Sequence, residues 1–299
     1  MKKNYSFFFV LSLVFMLAIP FQTAADDYVR GDVDEDGIVN ISDVTTLIDY
    51  LLSNQWPEEQ PIPENVTFVL NGIEINMVYV EGGTFTMGAS GTDTEAYDNE
   101  FPAHIVTLSS YYICTTEVTQ QLWRAVMGSN PSNHISNVLC PVEMVSWDDC
   151  QTFISKLNQM TGADFRLPTE AEWEFAARGG NESNGYKYAG SNNVNEVAWF
   201  WNTTPGASNM TRPVASKLPN ELGLYDMSGN VYEWCSDRYG NYSVTDESIN
   251  PQGSTSGTTR VYRGGSYQGG SVFCRVSYRN SGLAAYNWIG LRLAMSYPN

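Results

Sequence analysis

Histidine is almost missing from this 299-residue chain, which has only His104 and His134. Two imidazoles are too few for a histidine-rich metal centre. The sequence also offers no Ser/His/Asp arrangement and no phosphate-binding glycine loop. Cysteine is thin as well. Cys114, Cys140, Cys150, Cys235 and Cys274 are scattered without a C-x-x-C pair, which excludes a zinc ribbon and a thioredoxin motif. Their odd number leaves at least one thiol unpaired within the chain, and the pairing of the rest stays open. Basic residues are scarce: 16 Lys and Arg face 33 Asp and Glu, for a formal charge of -17. Such a surface repels nucleic acid phosphates and anionic membranes, and it supplies oxygens for hard cations such as calcium. No internal repeat of roughly 20 to 50 residues is present.

The apolar run from Phe7 to Ile19 follows Met1-Lys2-Lys3-Asn4 and precedes Pro20-Phe21-Gln22-Thr23-Ala24-Ala25. A basic start, a short apolar stretch and small residues at the cut predict a signal peptide over residues 1–25. The run falls short of the ~18 residues that a membrane span needs, so the chain is expected not to span a membrane. The protein is expected to be exported: periplasmic, cell-surface or extracellular. Cleavage removes two lysines and no acid, taking the charge from -17 to -19.

Three parts follow. Residues 27–53 hold an acidic loop and an apolar-periodic segment with Val44, Leu47, Ile48, Leu51 and Leu52 at helical spacing. Asp32, Asp34, Asp36, Asn40 and Asp43 put oxygens at loop positions 1, 3, 5, 9 and 12. Gly37 takes the sharp turn at position 6, and Ile38 is placed to offer its backbone carbonyl, which is the EF-hand spacing for calcium. Position 12 is Asp rather than Glu, and with Asp43–Leu52 the stretch resembles one dockerin type I repeat. That resemblance implies calcium and a cohesin-like partner, although dockerins normally carry two repeats. Residues 54–66, with Pro57, Pro61 and Pro63 among glutamates, predict an extended linker. Residues 67–297 show no comparable break and predict one domain.

Helix in that domain is sparse but well signposted. Ser146-Trp147-Asp148-Asp149 is a capping box ahead of Cys150–Met160, with Gly162 at the C-cap. Thr169-Glu170-Ala171-Glu172 is a second, leading Trp173–Arg178. Thr119 caps a third helix through Met127. Alternation at Ile105–Leu108 and Val261–Arg263 predicts strands. Gly, Asn, Ser, Thr and Tyr dominate the remainder and predict long structured loops.

A series of ordered strings carries a further resemblance. It begins with Gly82-Gly83-Thr84-Phe85-Thr86-Met87-Gly88 and Thr116-Glu117-Val118-Thr119, and includes Arg166-Leu167-Pro168-Thr169-Glu170-Ala171-Glu172-Trp173-Glu174. It continues through Gly223-Leu224-Tyr225-Asp226-Met227-Ser228-Gly229-Asn230-Val231-Tyr232-Glu233-Trp234 to Arg263-Gly264-Gly265-Ser266, Cys274-Arg275 and Gly290-Leu291-Arg292. Together these resemble the formylglycine-generating enzyme, or sulfatase-modifying factor, domain family. The resemblance implies an α+β fold, a loop-rich variant of the C-type lectin fold with little regular secondary structure. It implies a structural calcium at Ser228, Gly229, Val231 and Glu233. It also implies a copper site of two cysteines five residues apart, at which oxygen converts a substrate cysteine to formylglycine. Here the first of those positions is Gly269 and the second is Cys274, with Ser266 matching the family's active-site serine.

One thiolate cannot make a two-thiolate copper site. The expected function is therefore a secreted, calcium-binding, non-catalytic ligand-binding protein. Its contacts would be Tyr267, Gln268, Val272, Phe273, Tyr286, Asn287 and Trp288, aromatic and small polar residues of the kind adaptable recognition surfaces use. The layout resembles the variable proteins of diversity-generating retroelements, and the ligand would be a protein or a glycan. Tyr286 and Trp288 could equally be core residues. The alternative function is a sulfatase-maturing oxidase that uses copper, with Cys274 and Ser266 as its catalytic residues.

Overall fold

In the computed structural model, helices form behind all three predicted caps. The structure describes residues 64–201, 210–242 and 248–297. The expected signal peptide, the calcium-loop residues and most of the linker lie outside them. Helix α1 (Gln120–Met127) starts where the Thr119 hydroxyl accepts the Leu122 N–H, and it stops at Gly128 with φ of 79°. Helix α2 (Trp147–Thr161) is entered through a reciprocal Ser146/Asp149 capping box and ends at Gly162. Helix α3 (Glu170–Ala177) opens on the matching Thr169/Glu172 box. The short α4 (Val194–Val197) was not foreseen.

Strand β1 (Val66–Leu70) turns through Asn71 and Gly72, both at positive φ, into β2 (Ile73–Val80). Positive φ at both central residues is what a tight type I′ hairpin requires. The first strand begins at Val66, one residue inside the expected linker, because Val66 already pairs with Met77. After β3 (Gly83–Met87) and β4 (His104–Leu108) come β5 (Tyr111–Cys114) and the two-residue β6 (Phe165–Arg166). The rest are β7 (Tyr232–Arg238), β8 (Ser248–Ile249), β9 (Arg260–Arg263), β10 (Arg279–Gly282), β11 (Ile289–Leu291) and β12 (Ala294–Ser296).

They build three sheets, in the orders β1-β2-β5-β12-β6, β10-β9-β7-β11 and β3-β4-β8. The last strand, β12, is hydrogen-bonded between β5 and β6, so the chain's end closes the sheet its beginning started. The result is a mixed α/β domain of several sheets and few helices, as the sequence led us to expect.

Helix α3 shows how the sheets are joined. Every one of its eight residues is buried, including Glu170, Glu172 and Glu174. A buried carboxylate must be paired or protonated, and the partners come from other elements. Arg263 at the end of β9 pairs with Glu174, Arg279 at the start of β10 with Glu170 at 2.6 Å, and Arg166 in β6 with Glu172 at 2.7 Å. Two further pairs lie away from α3: Arg275 with Glu100 at 2.5 Å and Arg292 with Glu233 at 2.8 Å. Arg263, Arg275, Arg279 and Arg292 are each no more than 2% exposed. Removing one partner of such a pair strands the other charge in the interior, at about 3–5 kcal/mol. Glu174→Gln, which strips the carboxylate shared by Arg263 and Arg178, is therefore expected to lower the free energy of urea unfolding by about that amount.

Candidate functional site

The start of β7 and the chain leading into β11 lie side by side in parallel, Tyr232 opposite Ile289. This register sets Trp288 against the Tyr232 ring, 5.5 Å between centroids. A row of rings extends to either side. Tyr286 stacks on Trp288 at 4.5 Å and 6°, while Tyr278, Phe273 and Tyr97 continue beyond Tyr232 at 6.3, 5.0 and 6.2 Å between successive centroids. Tyr286 and Tyr97, at the two ends, are 43% and 45% exposed, and Trp288 and Phe273 are half-buried. Tyr286 is thus a surface residue, whereas Trp288 both packs on the core and backs the exposed ring.

A polar cluster adjoins the row. The Tyr267 hydroxyl donates to the Asn287 carbonyl at 3.0 Å and accepts from Gln268 Nε2 at 2.9 Å. It also lies 2.8 Å from His134 Nε2. A phenol has one proton to give, so while it donates to Asn287, His134 must carry its proton on Nε2 to share this bond. Burial holds the His134 imidazole below its usual range, in keeping with a neutral ring. Behind His134 sits Glu143, fully buried, its Oε1 accepting the His134 backbone N–H at 2.7 Å. Its Oε2 has no hydrogen-bond partner, and burial pushes the carboxyl up to about 7. The backbone N–H of Met144 donates to the Tyr286 carbonyl and so ties the ring-bearing loop to this acid.

Of the residues singled out from the sequence, Tyr267, Gln268, Asn287, Tyr286 and Trp288 come together here. Phe273 joins the row from its far side through Tyr278. Val272 is half-buried and its carbonyl accepts from Arg275 Nε. His134, Glu143 and Tyr232 were missed. His134 had been weighed only as a metal ligand, and nothing in one sequence placed residue 134 beside residue 267.

The copper residues do not fit their metal. Cys274 is fully buried, and that burial pushes its thiol up to about 12, far from the thiolate that Cu(I) selects. At Gly269 an added Cβ would come within 2.9 Å of the Phe273 ring, so Phe273 fills the space of the first ligand. The other four cysteines are buried and free, with Cys114 and Cys150 in one core cluster and Cys235 in another. Ser266 is buried beneath the Tyr267 turn, its carbonyl accepting from the Gly269 N–H.

Of the residues expected at calcium, Glu233 is the one whose side chain was to supply oxygens, and it has protein partners. The Glu233 oxygens already accept from Trp173 Nε1 at 2.6 Å and from Arg292 Nε and Nη2 at 2.9 and 2.8 Å. At Ser228, Gly229 and Val231 the expected ligands are backbone carbonyls, whereas the bonds made there use the Ser228 hydroxyl and the Gly229 and Val231 N–H groups. The acids packed near Glu233 are Glu117, pushed well above the carboxylate range by burial and by Asp226, and Asp226, pushed up to about 6 by burial. Asp226 Oδ1 is buried without a partner. Among the described residues no three His, Cys, Asp or Glu side chains are grouped so as to hold a metal.

The sulfatase-modifying factor enzyme 1-like domain family matches residues 72–297, and the chain belongs to that family. Its relatives carry different activities. The chaperone protein LppX of Paenibacillus barcinonensis is 34% identical over 250 residues, 68% of this chain and 82% of that protein. The formylglycine-generating enzyme of Streptomyces coelicolor is 30% identical over 269 residues, 68% of this chain and 83% of the enzyme. Among solved structures, Treponema denticola variable protein 1 aligns with a TM-score of 0.68 and 30% identity, over 79% of this chain and all of that one.

Glu143 and Asp226, together with Asp237 at about 7, are all raised by burial above the carboxylates of an unfolded chain. The folded protein therefore holds protons that the unfolded chain releases. That stabilisation is complete below about pH 4 and is lost as pH rises through about 6 to 7. With a chelator present, the Tm is expected to fall between pH 5 and pH 8 in scanning fluorimetry, and Glu143→Gln to flatten the fall.

Proposed function

We propose that this protein is an exported binding protein rather than an oxidase, and that a protein or glycan ligand seats on the Tyr286–Trp288 stack and the Tyr267, Gln268 and Asn287 cluster. One observation carries the reading: Gly269 and the Phe273 ring stand where a copper cysteine would be, and Cys274 is a buried, protonated thiol. An exposed ring backed by a half-buried indole, beside polar groups already oriented by hydrogen bonds, gives contact area at small entropic cost. We read the fold as the family's variant of the C-type lectin fold. The likeness to variable protein 1 supports that reading and a recognition role resembling that of retroelement-diversified proteins.

Calcium belongs to the reading at the loop Asp32–Asp43, through Asp32, Asp34, Asp36, Ile38, Asn40 and Asp43. The same repeat is the candidate contact for a cohesin-like partner. Calorimetric titration of the full chain with calcium is expected to show a site that disappears in the Asp32→Ala, Asp36→Ala double variant. Persistence of all calcium uptake in that variant would place the ion elsewhere.

The oxidase alternative has a direct test. Copper-loaded protein incubated with a Cys-x-Pro-x-Arg peptide is expected to leave the peptide cysteine unconverted by mass spectrometry. Formylglycine formation that vanishes in Cys274→Ala would overturn the binding reading.

A further inference from the structure

A second site lies at the other end of β7. There the edge of the five-stranded sheet, at Arg166 and Ser296, meets the far ends of β7 and β9 around a groove of about 650 Å³. It shares no residue with the aromatic row.

The charge in this groove is unusual for so acidic a chain. Arg260 and Arg238 stand directly opposite each other across β9 and β7. Like charges in that position destabilise a strand pair, and among the described residues neither arginine has a carboxylate within ion-pair distance. Burial, first, and Arg238 act against the Arg260 charge, and the more distant carboxylates of Asp148 and Asp237 partly offset them. The other arginine here, Arg166, is neutralised by a bidentate contact with Glu172, both bonds at 2.7 Å. Arg260 is therefore the cation of the groove that has no carboxylate in direct contact.

It is also held in place. Its guanidinium lies 3.7 Å over the Trp147 ring, and its Nη1 donates to the Ser236 carbonyl at 2.6 Å. Trp147 is fixed in turn by its Nε1 bond to the Cys235 carbonyl at 2.8 Å. A planar cation braced on an indole, with several N–H groups to spare, is a prepared oxyanion site.

The remaining lining selects what the oxyanion is attached to. The one indole is already covered by Arg260, and the single aliphatic side chain, Leu167, is buried, so an apolar or aromatic ligand gains little. Gln151, Gln252, Ser109, Ser296 and Tyr297 instead present amides and hydroxyls, which suit a polyhydroxylated ring.

We propose that this groove binds an anionic saccharide, with its carboxylate or sulfate on Arg260 and its ring hydroxyls on the amide and hydroxyl lining. The test is calorimetric titration of the full chain, at low salt, with trigalacturonate, with a sulfated chondroitin oligosaccharide and with neutral maltotriose. Saturable binding of at least one anion, weakened by salt and absent for maltotriose, is expected. Arg260→Gln should weaken it about tenfold or more, the loss of one charge-assisted contact. Arg124→Gln, on the exposed side of α1, should not. Should Arg260→Gln lower the Tm, Gln252→Ala on its exposed turn carries the test instead, with weakened binding expected. The proposal is overturned if neither anion binds, if maltotriose binds as well as they do, or if a folded Arg260→Gln protein, or Gln252→Ala in its place, binds as tightly as the parent.

Discussion

Four arginines buried in a chain that is otherwise strongly acidic constrain how the elements of this domain sit against one another. Each leaves water at a cost of several kcal/mol, and only a carboxylate with satisfied hydrogen bonds offsets it. The carboxylates come from Glu100, Glu170, Glu174 and Glu233, each at least 59 residues away in sequence from the arginine it meets. Arg292 adds bonds to the carbonyls of Cys114 and Tyr225, so one side chain joins β5, β7 and the loop before β7. Apolar packing alone would tolerate small shifts between sheets. Bidentate pairs do not, because a misplaced partner leaves a full charge unpaired.

That rigidity is what lets a fold with so little helix carry a surface of loops. At the middle of the ring row Tyr232 lies in β7 and its N–H bonds to the Trp288 carbonyl, and the two end members are the most exposed. The polar cluster beside it is built on loop residues, yet Glu143 and Met144 clamp the loops at 134 and 286 from behind. Binding groups on loops held by a stiff frame meet a ligand without first being ordered.

The frame was legible in the sequence to different degrees. Thr119, Ser146 and Thr169 announced three helices because capping is a local bargain among residues three apart, and Gly128 and Gly162 marked two of the ends for the same reason. Strands β4 and β9 were legible from alternation. The two-residue strands β6 and β8 were not, since their pairing partners are distant and no period fits in two residues. At the site, the segment from Tyr267 to Trp288 was readable as one of aromatic and polar residues between scaffold strings, and five of its seven candidates do converge. What stayed hidden was the contribution of residues 134 and 143. A lone histidine and a lone glutamate signal nothing until the fold brings one against Tyr267 and buries the other. Glu233 was marked by resemblance alone, and the contacts it makes with Arg292 and Trp173 could not be read from the sequence.

The position of Gly269 explains how a member of this family can lack the copper ligands and keep the fold. Nothing in the buried ion pairs or the two main core clusters involves residue 269, and Cys274 packs with Tyr188, Val197 and Ala198 as an apolar side chain. A Cβ at residue 269 would come within 2.9 Å of the Phe273 ring, and Phe273 extends the row of rings toward Tyr97. Glycine at 269 is thus compatible with the Phe273 ring as it stands, and a larger side chain there would require that ring to move.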